Sequence, residues 1–238
     1  MKVSVQLYSL REEIKKEGVE SVLSGIKAAG ADGVEAVEDD YGLTPAAYRA
    51  LLDKHGLVAY GCHVGLAALQ DHTFTWSSAL GFRQLIVPWL SVDDLKNGAT
   101  AAALRTEAAF YKERGIAVGY HNHAHEFEGG TDYIADLLKA APDLQFEPDI
   151  FWLAAAGKSA AAYLKPYEKR LATVHLKELS PDGVQAPNPF FGEGVSEIRQ
   201  CVLLAEKLRL PHVVIEFEGI AAPWRGYLKR AVDYIVGI

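Results

Sequence analysis

The sequence predicts a closed (β/α)₈ barrel, and two observations lead to that fold class. Short β-branched runs recur at even spacing along the 238 residues, each followed by a longer stretch with apolar residues at helical period, which indicates repeated βα units and a parallel sheet. Eight such units fit the lower end of the usual size of this barrel. A doubly wound open sheet is the competitor, but its first strand should lead into a glycine-rich phosphate turn, and "QLYSLREE" has none.

The eight predicted strands follow one another along the whole chain. They are "KVSVQLY" (2–8), "GVEAVE" (33–38), "LVAYGCH" (57–63), "QLIVPW" (84–89), "AVGYHNH" (117–123), "QFEPD" (145–149), "ATVHLK" (172–177) and "HVVIEFE" (212–218). Helical stretches such as "TPAAYRALLDKHG" and "TAAALRTEAAFYKERG" lie between them and end in glycine after a charged last turn, a common helix stop. No linker or low-complexity tract divides the chain, so we predict one domain over residues 1–238.

Composition and charge exclude several classes of function. The net charge is −7, and no basic stripe could neutralise the phosphates of a nucleic acid. The N-terminus lacks a signal-peptide pattern and no run reaches membrane-spanning length, so we expect a soluble, cytoplasmic protein. Cys62 and Cys201 stand outside any CxxC pattern and are predicted to be core thiols. We expect a small carbohydrate as the partner molecule, with no nucleic acid and no membrane, and a homo-oligomer remains open.

Strand alternation sorts the side chains into two sets. In strand 1, Val3 and Val5 should pack on the helices, whereas Gln6 and Tyr8 should face the barrel interior. The C-terminal ends of the strands form the catalytic face of such barrels. Near those ends, four strands place a pair of polar side chains on one face: His121 with His123, Glu147 with Asp149, His175 with Lys177, and Glu216 with Glu218.

The fifth to eighth strands thus each bring an acid or an imidazole to the same mouth, namely His121, Asp149, His175 and Glu216. Carboxylates gathered in a partly dry cavity repel one another, and a divalent cation removes that cost. Two carboxylates and two imidazoles suit Mn²⁺ or Zn²⁺, with Co²⁺, Fe²⁺ or Mg²⁺ as alternatives. Each residue also has a structural interpretation: a strand-end histidine bonded to a carbonyl, a helix cap, a core histidine, and a glutamate paired with Arg225.

Six segments in order, "VQLYSLR", "YHNHAHEFE", "FEPDIFW", "TVHLKE", "FFGEGV" and "VVIEFEG", resemble the xylose isomerase-like TIM barrel superfamily. The likeness covers essentially the whole chain and is greatest for the YHNHxxEF branch of its sugar phosphate isomerase/epimerase family, related to inosose dehydratases and tagatose epimerases. It implies a metal bound at His121, Asp149, His175 and Glu216. Tagatose epimerases carry Glu at the fifth-strand position, so His121 argues against epimerisation by two opposed glutamates.

The resemblance also suggests catalytic and substrate-binding residues. Glu216 is predicted to transfer a proton as well as bind the metal, and His123 and Glu126 are predicted to be substrate or acid/base groups. Lys177 could bind a substrate oxygen, with a salt bridge to Glu216 or Glu218 as the alternative. The predicted substrate contacts are His63, Trp89, Trp152 and Glu193, the last on a glycine-containing loop suited to a lid.

These observations predict a metal-dependent isomerase or epimerase that acts on a keto-sugar or a related polyol carbonyl compound through an enediolate. The alternative within the same chemistry is a lyase or dehydratase of the inosose or 3-keto-glycoside type. Two other classes stay open. An endonuclease-type metallohydrolase would need a basic groove, which the charge balance disfavours, and a non-catalytic sugar-binding barrel would need no metal.

Overall fold

A computed structural model describes residues 1–71 and 79–238 of the chain. It contains one sheet of eight parallel strands. In chain order the strands are β1 (Val3–Gln6), β2 (Gly33–Val37), β3 (Val58–His63), β4 (Gln84–Val87), β5 (Ala117–His121), β6 (Gln145–Glu147), β7 (His175–Leu176) and β8 (Val213–Ile215).

Helices connect these strands throughout the described ranges. They are α1 (Arg11–Glu17), α2 (Val19–Ala28), α3 (Pro45–His55), α4 (Leu66–Asp71), α5 (Val92–Lys96), α6 (Gly98–Lys112), α7 (Tyr133–Ala140), α8 (Ile150–Ala155), α9 (Ala160–Leu164), α10 (Ile198–Leu208) and α11 (Trp224–Val236). Short 3₁₀ segments cover Leu7–Leu10, His125–Gly130 and Lys165–Arg170. In the described part of the chain, no helix has the length and apolar character needed to cross a membrane.

The strand order closes the sheet into a barrel. Neighbouring strands pair in the order β6-β5-β4-β3-β2-β1-β8-β7, so the sequence neighbours lie side by side and the first strand meets the last. Between β6 and β7 the seam is held by two isolated parallel bridges, Phe146 to Leu171 and Asp149 to His175. The predicted fold class, a (β/α)₈ barrel, is confirmed.

The predicted alternation holds within β1 and fails just beyond it. Val3 and Val5 belong to the hydrophobic core, whereas the buried Gln6 donates from Nε2 to Glu35 Oε2 on β2, at 2.7 Å. Tyr8 was expected to face the interior, but it belongs to the 3₁₀ segment after β1, and 47% of its surface is exposed. The strand rule does not apply there because the backbone has already left the extended conformation.

Several predicted strands extend past the observed ladder at their C-terminal ends. The fifth ends at His121 rather than at residue 123, and the eighth ends at Ile215. Beyond these points side chains satisfy the backbone N–H groups: Glu126 accepts from His123 N, Asn122 Oδ1 from Asp149 N, and Ser9 Oγ from Phe217 N. These three backbone donors at the barrel mouth are therefore paired although the chain has left the strand.

Candidate active site

The C-terminal ends of the strands surround a cavity of about 420 Å³. Its lining includes Tyr8 after β1, His63 at the end of β3, and Trp89 and His123 beyond β4 and β5. Two predicted substrate contacts, His63 and Trp89, therefore lie at this mouth, and 55% of the Trp89 surface is exposed. Whether they bind a substrate stays a prediction.

The four predicted metal ligands meet just inside this mouth. One ligand atom from each of His121, Asp149, His175 and Glu216 lies within 4.8 Å of the others, and all four side chains are buried. His175 Nδ1 is 2.7 Å from Glu216 Oε2, and His121 Nε2 is 3.8 Å from Asp149 Oδ2. The structure thus brings together the residues that alternation selected, and their role as ligands stays a prediction.

Asp149 shows how the local sequence positions a ligand. Its backbone N–H donates to Asn122 Oδ1, and its Oδ1 accepts from Phe151 N, which caps helix α8. The structural interpretation of this residue as a cap is therefore also correct. Its other oxygen, Oδ2, is buried and has no hydrogen-bond partner in the described part of the chain. Burying a carboxylate oxygen without a partner is costly, so this oxygen is suited to bind a cation.

Burial and neighbouring charges shift the pKa values of the four predicted ligands in different directions. Burial raises the pKa of Asp149 to about 7 and lowers the pKa of His121 to about 4. Burial would raise the pKa of Glu216, but Lys177 and His175 hold it well below its usual range. Burial opposes the charge on His175, yet Glu147 and Glu35 hold its pKa well above the usual value. Glu216 is therefore ionised and able to accept a proton.

Lys177 lies beside Glu216 as a buried cation. Its Nζ is 3.3 Å from Glu216 Oε1 and 3.4 Å from Glu218 Oε2, and it lies over the rings of Phe151 and Trp152. Burial alone would lower the pKa of this amine, but the neighbouring carboxylates, Glu216 first, have the larger combined effect and raise the pKa above its usual value. Lys177 is therefore an electrostatic partner of Glu216, the alternative to substrate binding that the sequence had left open.

Two carboxylates that were not among the predicted site residues lie directly beneath the four. Glu35 on β2 and Glu147 on β6 are both fully buried. Both contact Nε2 of His63 and Nε2 of His175. Burial lowers the pKa of His63, but Glu35 and Glu147 raise it to about 9. The sequence signal for Glu35 was an acidic residue alternating with Val34 and Ala36 in a strand that is otherwise apolar.

Glu126 is held by hydrogen bonds within its own turn, and its role as a substrate or acid/base group stays a prediction. Both oxygens of its carboxylate accept a hydrogen bond from His123 N, at 3.0 and 2.9 Å, and Oε1 also accepts one from the Tyr120 hydroxyl at 2.7 Å. It is fully buried and therefore shapes the turn after β5. His123, in contrast, lines the cavity and its Nδ1 has no partner among the described residues. Burial lowers the pKa of His123 to about 3, so its ring is neutral.

The two remaining predicted substrate contacts have different outcomes. Trp152 is half-buried, and its ring lies 5.2 Å from the His123 ring beside the site. Glu193 is exposed on the outer surface, where it pairs with Arg230 on α11 at 2.9 Å. The prediction that Glu193 contacts substrate is wrong for this conformation, because the loop directs its carboxylate at a helix rather than into the cavity.

The loop between β7 and α10 is anchored by hydrogen bonds in this conformation. Glu178 is buried at its start and accepts the backbone N–H groups of Gly192 and Ser196, at 2.9 and 2.8 Å. A Cβ on Gly194 would lie 2.3 Å from the carbonyl oxygen of Leu179, so glycine allows the close approach of these backbones. The glycines thus serve tight packing, which corrects the expectation that they provide flexibility.

Solved structures with the same architecture match nearly the whole chain. A sugar phosphate isomerase/epimerase from Parabacteroides distasonis aligns with a TM-score of 0.81 and 19% identity, over 100% of this chain and 99% of that one. The fold is that of the xylose isomerase-like TIM barrels. A D-allulose 3-epimerase from Methylomonas sp. aligns with a TM-score of 0.77 and 13% identity, over 100% and 97% of the two chains.

A third solved structure, described as a probable 3-DHS dehydratase from Bacillus anthracis, aligns with a TM-score of 0.76 and 12% identity, over 99% of both chains. No protein-family model and no curated protein matches the chain. At these identities the likeness shows the fold and not the reaction, since one barrel supports many chemistries.

Proposed function

We propose that the protein is a metal-dependent enzyme that isomerises a keto-sugar or a related polyhydroxylated carbonyl compound through an enediolate. The observation that carries this proposal is the buried set of His121, Asp149, His175 and Glu216 at the inner end of an open cavity. Buried groups of mixed charge at the mouth of such a barrel favour a catalytic function over a non-catalytic sugar-binding one.

The chemistry of the four donors supports a single divalent cation. Two imidazole nitrogens and two carboxylate oxygens suit Mn²⁺ or Zn²⁺, and the unpartnered Asp149 Oδ2 offers a free ligand atom. When bound, such a cation polarises a substrate carbonyl and lowers the pKa of the adjacent C–H. The protein's contribution is to hold these four donors, at fixed spacing, below a cavity that admits the substrate.

Glu216 is the group best placed to move a proton. It is ionised, and it has Oε2 beside His175 Nδ1 and Oε1 beside Lys177 Nζ. Lys177 holds the carboxylate in place and keeps it charged until it accepts a proton. His123 is neutral, so it can donate a hydrogen bond to a substrate oxygen, but it is not an imidazolium acid.

This arrangement favours isomerisation or β-elimination over epimerisation. Inversion at one carbon by two opposed bases needs an ionisable group on each face. Here Glu216 is on one side, whereas the β5 position carries His121 and the nearby Glu126 carboxylate is bound to backbone. A lyase or dehydratase that proceeds through the same enediolate is the second candidate, and the one-sided placement of the base is the observation that supports it.

The charges at the mouth support a substrate without a phosphate group. Of the described residues that line the cavity, Glu38 and Glu218 are acidic and none is Lys or Arg; the imidazolium of His63 is already paired with Glu35 and Glu147. Lys177 is already paired with Glu216 and Glu218. An anionic substrate would approach two carboxylates, so an uncharged carbohydrate is the better electrostatic match. Tyr8 and Trp89, both exposed, provide apolar surface for a sugar ring.

The test begins with metal removal and reloading, followed by a panel of keto-sugars, their phosphates and 3-keto-glycosides in D₂O. We expect about one equivalent of metal, lost in Asp149→Ala. Solvent deuterium should enter the substrate or product at the acidic carbon. Glu216→Gln should lower turnover by about 10²- to 10⁴-fold at saturating metal, since an amide cannot accept the proton.

Glu193→Gln is the matched control, because it removes an exposed glutamate that pairs with Arg230 outside the cavity. It should keep wild-type turnover. Conversion without deuterium at any carbon would exclude the enediolate, and full metal retention in Asp149→Ala would exclude the proposed ligand set.

A further inference from the structure

The two predicted imidazole ligands are oriented in the same way, with one ring nitrogen toward the proposed metal site and the other away from it. His175 directs Nδ1 at Glu216 Oε2, at 2.7 Å, and directs Nε2 at Glu35 Oε2 and Glu147 Oε1, at 2.7 and 2.9 Å. His121 directs Nε2 at Asp149 Oδ2, at 3.8 Å, and has Nδ1 3.4 Å from Glu147 Oε1. Each ring therefore has one nitrogen toward the proposed metal ligands and the other toward a carboxylate beneath them.

His63 joins the two lower carboxylates into a ring of alternating imidazoles and acids. Its Nε2 lies 2.8 Å from Glu147 Oε1 and 3.1 Å from Glu35 Oε2, and its ring is stacked on His175 with an interplanar angle of 9°. Gln6 donates to the same Glu35 oxygen from β1. Because these side chains come from five strands around the barrel, the ring is held in place from all sides.

We infer that Glu35 and Glu147 are positioning residues, which select the nitrogen that each imidazole ligand presents to the metal. A neutral imidazole carries one N–H and one lone pair, and the partner of the N–H decides which nitrogen can bind a cation. Glu35 and Glu147 hold the N–H on Nε2 of His175, so Nδ1 faces the metal. Glu147 favours N–H on Nδ1 of His121 through its charge alone, since the 3.4 Å contact does not have hydrogen-bond geometry, and Nε2 then faces the metal. This inference rests on the proposed metal-dependent function.

A competing arrangement would place the cation lower in the barrel. His63, His121, Glu147 and His175 also have ligand atoms within 4.8 Å of one another. The two sets share His121 and His175, so two cations at once would require both rings to act as bridging imidazolates. Each set contains a buried carboxylate oxygen that has no hydrogen-bond partner among the described residues, Asp149 Oδ2 in the upper set and Glu147 Oε2 in the lower. The upper set is favoured because it has two carboxylates to neutralise a divalent cation, whereas the single carboxylate of the lower set already contacts three imidazole nitrogens through Oε1.

Glu35→Gln is the sharpest variant. Gln6, His63 and His175 all contact the same oxygen, Glu35 Oε2, so an amide oxygen at that point keeps the acceptor and removes the charge. The amide NH2 then takes the place of Oε1, which has no hydrogen-bond partner among the described residues. Glu107→Gln is the control, since Glu107 is a buried glutamate on α6. The full chain is used in both cases, and thermal unfolding of each metal-free variant tests whether it folds.

Two measurements test the inference without using activity. Competition titration with Zn²⁺ should show affinity that is about ten- to a hundredfold weaker in Glu35→Gln and unchanged in Glu107→Gln. Long-range ¹⁵N–¹H NMR of the Zn²⁺-loaded wild type should show His175 bound through Nδ1 and protonated on Nε2, and the Nε2–H resonance should shift in Glu35→Gln.

The outcomes separate this inference from the proposed function. Suppose that the wild type binds Zn²⁺ and that Asp149→Asn loses this binding. Unchanged affinity and unchanged resonances in Glu35→Gln would then overturn the positioning role alone. Loss of binding in Glu147→Gln with retention in Asp149→Asn would place the metal in the lower set and overturn the inference. Absence of tight binding in wild type would overturn the proposed function and the positioning role together.

Discussion

His212 is predicted to make the protein sensitive to mild acid. It lies at the start of β8 inside the barrel, with its ring stacked on Tyr60 at 4.3 Å. It is almost fully buried, and within the described residues neither ring nitrogen has a hydrogen-bond partner. Burial lowers its pKa from 6.5 to about 4. The folded protein therefore resists protonation at a site where the unfolded chain accepts it.

The size of the effect follows from these two pKa values. Between pH 6.5 and 4 the unfolded chain binds more protons at this residue, so the free energy of unfolding falls as the pH falls through that window. With the two pKa values above, His212 should lower the free energy of unfolding by about 2 kcal/mol at pH 5 and by almost nothing at pH 8. Because His121 and His63 also titrate, the effect must be isolated by substitution at position 212.

The assay is urea unfolding of wild type and His212→Phe at several pH values from 8 to 5. Phenylalanine keeps a ring beside Tyr60 and cannot be protonated. The stability difference between wild type and variant should move by about 2 kcal/mol in favour of the variant on going from pH 8 to pH 5. If phenylalanine packs poorly, His212→Gln provides the same comparison. A stability difference that stays constant over this range in both variants would refute the reasoning.

Two further predictions concern the site. Burial raises the pKa of Asp149 to about 7, so below that pH a cation must displace its proton in order to bind. Competition titration should therefore show a metal affinity that falls at least about tenfold for each pH unit below 7. Equal affinity at pH 7 and pH 5 would contradict this. Trp89→Ala should raise the KM for a sugar substrate by about 2- to 10-fold through lost ring contact, whereas Glu193→Gln should leave KM unchanged. Equal effects of the two substitutions in steady-state kinetics would contradict the assignment of Trp89 to the cavity.

The sequence predicted the barrel and the four central residues because both depend on strand periodicity. Side chains two apart on a strand share a face, and the C-terminal ends of parallel strands meet at one mouth. His121, Asp149, His175 and Glu216 could therefore be grouped without coordinates. Glu35 obeys the same rule, but it lies in the middle of β2 and not at a strand end, where the catalytic face is expected.

The rule failed where the backbone leaves the strand. Glu126 stands beside the histidines in the sequence, yet the 3₁₀ segment after β5 turns its carboxylate back onto the N–H of His123. Glu193 lies in a loop whose path is set by contacts with Glu178 and Arg230, which are distant in sequence. No local pattern encodes these contacts, so the placement of both glutamates required the three-dimensional structure.

Charge balance in the barrel explains why a divalent cation suits this set. Without a metal, the carboxylates of Glu35, Glu147 and Glu216 face three cations, namely Lys177 and the imidazoliums of His63 and His175, whose pKa values their acidic neighbours raise. Asp149 is the fourth carboxyl, and its pKa of about 7 lets it remain protonated below neutral pH. A divalent cation that displaced the Asp149 proton and the Nδ1 proton of His175 would add two charges and remove two. The total charge of these seven side chains would then be the same with and without the proposed metal, and its binding would release two protons.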